Sequence, residues 1–437
     1  MSLNPEGESI RVFMLGWEFP PFISGGLGTA CYGLTRAMDS LGIKITFVLP
    51  KKVHGHYATH VKLLSPESRH EAESDPSGFK NVQFRRIPSA LEPYSTPQEY
   101  LDRLERVRSN YRELFSSLGE NAEHFGSGEH YGRDMYGEVQ RYAAIAAELA
   151  LREEFDIIHA HDWMTYPAGM AVAAATGKPL VVHVHSTEFD RSGEHVHQMI
   201  YDIERAGMER ADRVFAVSCL TRNIVITRYG ISGEKVEVIY NGVDPTDDRA
   251  RSETRIRSGE KIVLFLGRIT MQKGPEYFLQ AAQKVLGVMD NVKFVMAGSG
   301  DLMHRTIELA ADLGIGSKVL FTGFLRGDEV RHIYKMADLY VMTSVSEPFG
   351  IAPLEALDHD VPVIISKQSG VSEVLTHALK VDFWDVDEIA NKIVAVLKHP
   401  PLQSALKDHG NFEVRKLRWT DSARKCARIY EEMLVPA

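Results

Sequence analysis

Two cations and two carboxylates in the second half of the sequence have the types and spacing to grip a charged ligand. Arg268 follows Gly267 straight after the apolar run Ile262–Leu266, and Lys273 precedes Gly274-Pro275-Glu276. Pro275 suits the first turn of a helix, so both cations fall between a strand's carboxyl end and a helix N-terminus. Arg brings a planar fork and Lys a point charge, a pair suited to a diphosphate. Taken alone, two solvated surface charges fit these residues equally well. Further on, the run Leu339–Met342 leads into Ser346-Glu347-Pro348-Phe349-Gly350-Ile351-Ala352-Pro353-Leu354-Glu355. The spacing predicts Glu347 in a loop and Glu355 in a helix beginning near Pro353. The two carboxylates then reach different parts of one ligand, and the amides around Phe349, Gly350 and Ile351 can hold phosphate oxygens.

Other patterns carry less. Three His-x-His pairs occur, His159/His161, His183/His185 and His195/His197. Residues i and i+2 of a strand share a face, so a metal site is conceivable, but no spacing matches a known metal motif. No metal is expected. Gly26-Leu-Gly28 and Gly298-Ser-Gly300 each follow a strand but lack the third glycine of the dinucleotide fingerprint, and no P-loop motif occurs. Asp385-Val-Asp387 precedes an apolar helical run, where Asp385 reads as a helix cap.

These residues need a scaffold, and the apolar runs supply one. Val12–Leu15 is a buried strand, followed by Leu27, Ala30, Cys31, Leu34, Ala37, Met38 and Leu41 at helical spacing and by the strand Ile45–Leu49. This is a βαβ unit. Ile157–His159, Leu180–Val184, Val214–Val217 and Val236–Ile239 continue the series; a second begins at Ile262–Leu266 and runs through Phe294–Ala297, Val319–Thr322, Leu339–Met342 and Val363–Ser366. The expected fold is α/β, two doubly wound Rossmann-like domains facing across a cleft. Residues 1–245 form the first, 246–415 the second, and 416–437 a last helix. The polar stretch Pro245–Glu260 is the linker. Ligands of such sheets bind outside the carboxyl ends of the strands. Residues 51–135 break the rhythm as a variable insertion. Within it Tyr100, Leu101, Leu104, Val107, Tyr111, Leu114, Phe115 and Leu118 form one helical stripe, opposite a face of mixed charge.

Composition narrows the class. At 437 residues the chain exceeds the roughly 250–300 that one core supports. Fifty Lys and Arg against 59 Asp and Glu leave a formal charge of −9, which argues against a nucleic-acid partner. Three separated cysteines, Cys31, Cys219 and Cys426, exclude a disulfide scaffold and suit a reducing compartment. No apolar run reaches the length of a transmembrane span. The polar, acidic start is unlike a secretory signal, and a cytoplasmic enzyme is expected.

In order and spacing, Gly267-Arg268…Lys273-Gly274 followed by Glu347-x7-Glu355 resembles the donor site of retaining nucleotide-sugar glycosyltransferases of the GT-B fold. Tyr240-Asn241-Gly242-Val243-Asp244 is similar to the segment where their first domain ends. Trp17-Glu18-Phe19-Pro20-Pro21…Gly25-Gly26-Leu27 resembles their glycine loop. His159-Ala160-His161-Asp162-Trp163 resembles glycogen and starch synthases, and Trp419…Ala423…Tyr430 their last helix, which crosses back onto the first domain. The resemblance implies a donor such as ADP-glucose or UDP-glucose and a carbohydrate acceptor. It implies that Arg268 and Lys273 bind the diphosphate, and that Glu355 holds the ribose and Glu347 the sugar. Phe349, Gly350, Ile351, Gly25, Gly26 and Asn241 would belong to the donor pocket. His185 would lie beside the anomeric carbon, and Asp162 would contact the donor or acceptor sugar. Retention would proceed without a metal or a protein nucleophile. The expected reaction is glucosyl transfer to an α-glucan. One position departs: glycogen synthases have lysine where Ile23 stands, which keeps a small sugar, sugar-phosphate or lipid acceptor open. Arg133, Arg141 and Arg191 are candidate phosphate ligands. A glycoside hydrolase has no use for the cation pair, and an epimerase of this fold would release no nucleotide.

Overall fold

The structure, a computed structural model, describes residues 9–19, 25–51, 63–64, 81–88, 131–244 and 259–435. Ile23, the stripe at 100–118 and linker residues 245–258 lie outside the described residues.

Two all-parallel sheets form. The first is built from β1 (Arg11–Leu15), β2 (Lys44–Lys51), β3 (Leu63–Leu64), β4 (Val82–Pro88), β5 (Ile157–His161), β6 (Leu180–Val184), β7 (Arg213–Ala216) and β8 (Val236–Val238), in the order β3-β4-β2-β1-β5-β6-β7-β8. The second comprises β9 (Lys261–Leu266), β10 (Val292–Ala297), β11 (Val319–Gly323), β12 (Leu339–Met342), β13 (Val363–Ser366) and β14 (Leu379–Val381), in the order β11-β10-β9-β12-β13-β14. Both are doubly wound, the expected α/β architecture. Strand order reverses beside β1 in the first sheet and beside β9 in the second. Crevices open at such reversals because the flanking crossovers leave in opposite directions.

Side-chain alternation assigns the faces of the first sheet. Ile158 and Ala160 of β5 enter one core with Tyr142 and Tyr166 from the helices Tyr131–Ala150 and Tyr166–Thr176. Ile157 enters the opposite core, which is covered by the helices Gly26–Ser40 and Trp419–Leu434. His159 shares that second face, with its ring edge-on to Phe215 and Tyr430. The last helix thus crosses back to the first sheet. Trp419, Ala423, Cys426, Ala427 and Tyr430 are buried there, and a β-carbon at Gly33 would meet the Trp419 ring at 2.2 Å.

Local chemistry explains the element ends. Asp385 caps the helix Val386–Lys398 by accepting from the Glu388 amide at 2.9 Å, so the Asp-Val-Asp segment is a helix start. The helix holding Glu355 spans Ile351–Asp358, two residues ahead of the expected start. Gly350, at φ 104°, turns the chain sharply enough for Ile351 to begin the helix at once.

Candidate functional site

The site assembles at the two strand reversals. On the second sheet, the loop after β9 carries Arg268 and is pinned to the loop after β10. Gly267 N–H donates to Ala297 O, Ile269 N–H to Ser299 O, and Leu302 N–H returns to Ile269 O. A β-carbon at Gly298 would lie 1.8 Å from Gly267 O. The Gly298-Ser-Gly300 segment therefore serves this close backbone approach, which holds Arg268. Lys273 ends the short turn Met271–Lys273 and is tied to the end of β12: Thr343 Oγ1 donates to Gly274 O at 2.8 Å, and Val345 N–H to Gln272 O.

Both cations already have carboxylate or amide company. Lys273 Nζ meets Glu347 Oε2 at 2.5 Å, and Ser344 Oγ donates to the same oxygen at 3.1 Å. Arg268 donates to Gln272 Oε1 at 3.2 Å and attracts the Glu18 carboxylate of the first domain. Glu347 is buried, and its loop is fastened by Glu347 N–H to Gln368 O and Gly370 N–H to Glu347 O. Phe349 is buried against Tyr240, with ring centroids 6.0 Å apart. Ile351 packs between the cores of the two domains. Glu355 accepts from the Tyr334 hydroxyl at 3.0 Å, and burial raises its carboxyl above the ordinary range. Asn241 is buried in the segment leading out of the first domain.

On the first sheet, Glu18 was missed by sequence reasoning as a site residue. It follows β1, is 6% exposed, and lies beside the backbone N–H groups of Gly25 and Gly28. Burial raises its pKa against those amides and the pull of Arg268. Its carboxylate thereby sits near the N-terminus of the helix Gly26–Ser40. The available signal was an acid between Trp17 and Phe19 directly after a buried strand. Gly25 caps this helix, and a β-carbon at Gly26 would meet nothing within 4 Å.

Asp162 follows β5 in the left-handed region, at φ 60°. Its Oδ1 accepts from the backbone N–H groups of His185, at 2.7 Å, and Ser186, at 3.3 Å. Burial pushes its carboxyl up to about 7, while those bonds and Arg191 pull the other way. Two of the His-x-His pairs converge on one face. His159 Nε2 lies 3.3 Å from His183 Nδ1, and His161 Nδ1 2.9 Å from His185 Nε2. Burial lowers His159 and His185 to about 3 and holds His161 and His183 well below the usual range. The third pair stands apart; His195 and His197 are exposed, and His197 meets the Tyr136 hydroxyl. Ligand atoms of Cys31, His161 and His185, and of His159, His161 and His183, lie within 4.8 Å of one another. These soft donors would suit zinc, although the rings are already paired with one another.

Arg191 and Arg141, the expected phosphate ligands, are engaged elsewhere. Arg191 is ion-paired to Glu188 at 3.0 Å and to Glu204, whose carboxylate also takes the Tyr229 hydroxyl. Arg141 pairs with Glu138. The Arg133 side chain lies outside the described residues. The two mouths touch: Ser346 Oγ donates to Asp190 Oδ1 at 2.6 Å, and Thr221 Oγ1 to Pro348 O at 3.3 Å. Glu373 accepts from the amides of Cys219 and Leu220, at 2.9 and 2.7 Å, at the start of a first-domain helix.

A cation pair at one strand reversal facing histidines at another is the arrangement that comparison with known proteins can test. Residues 246–411 match the family model for glycosyl transferases group 1, and residues 117–247 that for glycosyltransferase family 4. Residues 246–411 thus form a group 1 glycosyltransferase domain. An uncharacterized glycosyltransferase of Methanocaldococcus jannaschii is 28% identical over 440 residues, covering 97% of this chain and 98% of that one. A glycogen synthase of Mycobacterium tuberculosis is 24% identical over 382 residues, 84% of this chain and 80% of its own. Among solved structures, sucrose-phosphate synthase from Thermosynechococcus elongatus superposes with TM-score 0.70 at 20% identity, over 97% of this chain and 99% of that one. Anabaena HepE, in complex with UDP and glucose, gives 0.68 at 18%, over 97% and 100%. The glycosyltransferase thus has the GT-B architecture. Among its described residues no helix is long and apolar enough to cross a membrane.

Proposed function

We propose that this glycosyltransferase moves a glucosyl group from a nucleoside-diphosphate sugar, such as UDP-glucose or ADP-glucose, to an α-glucan, with retention and without a metal. One observation carries the reading: Arg268, Lys273, Glu347 and Glu355 gather around the strand reversal beside β9, next to the N-terminus of the helix Ile351–Asp358. A diphosphate entering there replaces Glu347 as the partner of Lys273. That exchange frees the Glu347 carboxylate for the sugar hydroxyls as the phosphate arrives. Glu355 takes the ribose. Asp162 and His185 face the sugar from the first domain, with Gly25, Gly26, Phe349, Gly350, Ile351 and Asn241 around the donor.

As the glycosidic bond to the phosphate breaks, negative charge grows on the departing oxygen. Arg268, Lys273 and the helix dipole stabilise it. The acceptor hydroxyl attacks the cation-like anomeric carbon on the face the phosphate leaves, and the departing phosphate takes its proton. Nucleoside diphosphate and lengthened glucan result. The acceptor assignment rests on charge: Arg191 and Arg141 are neutralised by Glu188, Glu204 and Glu138, which favours a neutral acceptor. A sugar phosphate is the second reading, favoured by the likeness to sucrose-phosphate synthase.

The test supplies labelled UDP-, ADP- and GDP-sugars with glycogen and hexose phosphates in parallel. Nucleotide release with label in polymer, and α-linkages by proton NMR, are expected. Label confined to a low-mass product would remove the glucan reading. Hydrolysis or epimerisation without nucleotide-coupled transfer would remove the transferase reading.

A further inference from the structure

Four imidazoles stand on one face of the first sheet, and of these His159, His161 and His183 are fully buried while His185 is partly exposed at the end of β6. We infer that His161 is a positioning residue that holds His185 as its Nδ1–H tautomer, so that His185 meets the transferred sugar as a hydrogen-bond donor. The inference rests on the proposed placement of His185 beside that sugar.

The contact between His161 Nδ1 and His185 Nε2, 2.9 Å, occupies one nitrogen of each ring. Burial keeps both rings neutral near pH 7. A neutral imidazole carries one proton, so one ring donates and the other accepts. Two assignments follow. If His185 donates, the His161 proton sits on Nε2; if His161 donates, its Nε2 is bare. His161 Nε2 is buried and has no hydrogen-bond partner among the described residues. A buried N–H without an acceptor is the rarer and costlier defect. This selects His161 Nδ1–H donating to His185 Nε2. The His185 proton is then on Nδ1, the nitrogen left for a ligand. The backbone holds this geometry from the other side, because Asp162, adjacent to His161, accepts from the His185 N–H.

The consequence is chemical. His185 would not act as a general base toward the acceptor. It would donate to an oxygen of the sugar or the departing phosphate, the polarity that developing negative charge rewards.

The experiment uses full-length protein labelled with 15N-histidine. Long-range proton–nitrogen correlation spectra separate the two neutral tautomers, with the His185 signals identified by their loss in His185→Ala. The expected spectrum shows His185 neutral at pH 5 and protonated on Nδ1. In His161→Leu it should shift to the Nε2–H form that free imidazole prefers. kcat should fall about 10²-fold, the usual loss of one donor at a charge-developing centre, with donor KM little changed. In His161→Asn, whose amide nitrogen stands where Nδ1 stood, the Nδ1–H signal and most of kcat should return. An Nε2–H tautomer in the unmodified protein overturns the inference, as does undiminished kcat in a folded His161→Leu. So does one equivalent of zinc in the purified protein that His161→Asn loses, since the nitrogens would then be ligands. Full activity in His185→Ala would instead refute the placement of His185 in the proposed function, while the spectra still decide its tautomer.

Discussion

The two mouths of the cleft handle charge in opposite ways. On the second domain Arg268 and Lys273 are held at the end of β9 and its following turn, each near a carboxylate, Glu18 or Glu347, that an anionic ligand can displace. On the first domain Arg191 is locked between Glu188 and Glu204, Arg141 is paired with Glu138, and the neighbouring histidines are neutral. Glu188 and Glu204 are buried and Arg191 is partly so, and removing the arginine strands those carboxylates as uncompensated charge. The pair at Lys273 lies where the incoming ligand brings its own charge. An ion pair is a reservoir for binding only where its replacement can enter; elsewhere it is part of the framework.

The comparison is broken most directly at Arg191. Arg191→Ala should cost about 3–5 kcal/mol of stability, as leaving a buried charge uncompensated does, read as a fall in melting temperature. A folded Arg191→Ala of normal stability with a raised KM for hexose phosphate alone would make Arg191 an acceptor ligand and restore the sugar-phosphate reading. Next come Arg268→Ala and Lys273→Ala, each expected to lose roughly 10²–10³-fold in kcat, about 2.7–4 kcal/mol of transition-state stabilisation. Near-normal kinetics in both would dissolve the donor site.

A third test concerns Asp162, whose folded pKa of about 7 exceeds the ordinary 3.8. Between these values the folded state binds more protons than the unfolded one, so stability declines as pH rises from about 4 to about 7. Asp162→Asn keeps an acceptor for the His185 and Ser186 amides without the charge. Its melting temperature should match the parent near pH 4 and exceed it increasingly toward pH 7. A constant difference across that range would contradict the raised pKa. The smallest expected effect is that of chelation: transfer should continue after exhaustive EDTA treatment, because two cations and a helix N-terminus supply the positive charge. Complete loss, restored by one divalent ion, would bring the histidine cluster forward as a metal site.

How much of this the sequence displays depends on the range of the interaction. The strands are legible because each is a short apolar run bounded by turn residues; Leu180–Val184, Leu339–Met342 and Val363–Ser366 have the same limits in sequence pattern and structure. Arg268, Lys273, Glu347 and Glu355 are legible as site candidates from their positions after strands, and the structure places them around one strand reversal. Their pairing is not legible, since Lys273 and Glu347 are 74 residues apart. The same holds for Arg191, whose second carboxylate, Glu204, comes from the next helix, and for Glu18, whose partners include Arg268 across the cleft. The His-x-His spacing shows that the pairs share a face but not that β5 and β6 lie side by side. The early start of the Glu355 helix turned on one backbone angle at Gly350, which no residue type dictates.

The helix Trp419–Leu434 has a consequence for how the protein is made. Domains generally fold in the order in which they leave the ribosome. Here Trp419, Ala423, Cys426 and Tyr430 complete the first domain's core, so that core stays open until the whole second domain has emerged. The first-synthesised of the two domains is the last to be sealed, and a chain that stopped after residue 415 would leave that earlier domain's core uncovered.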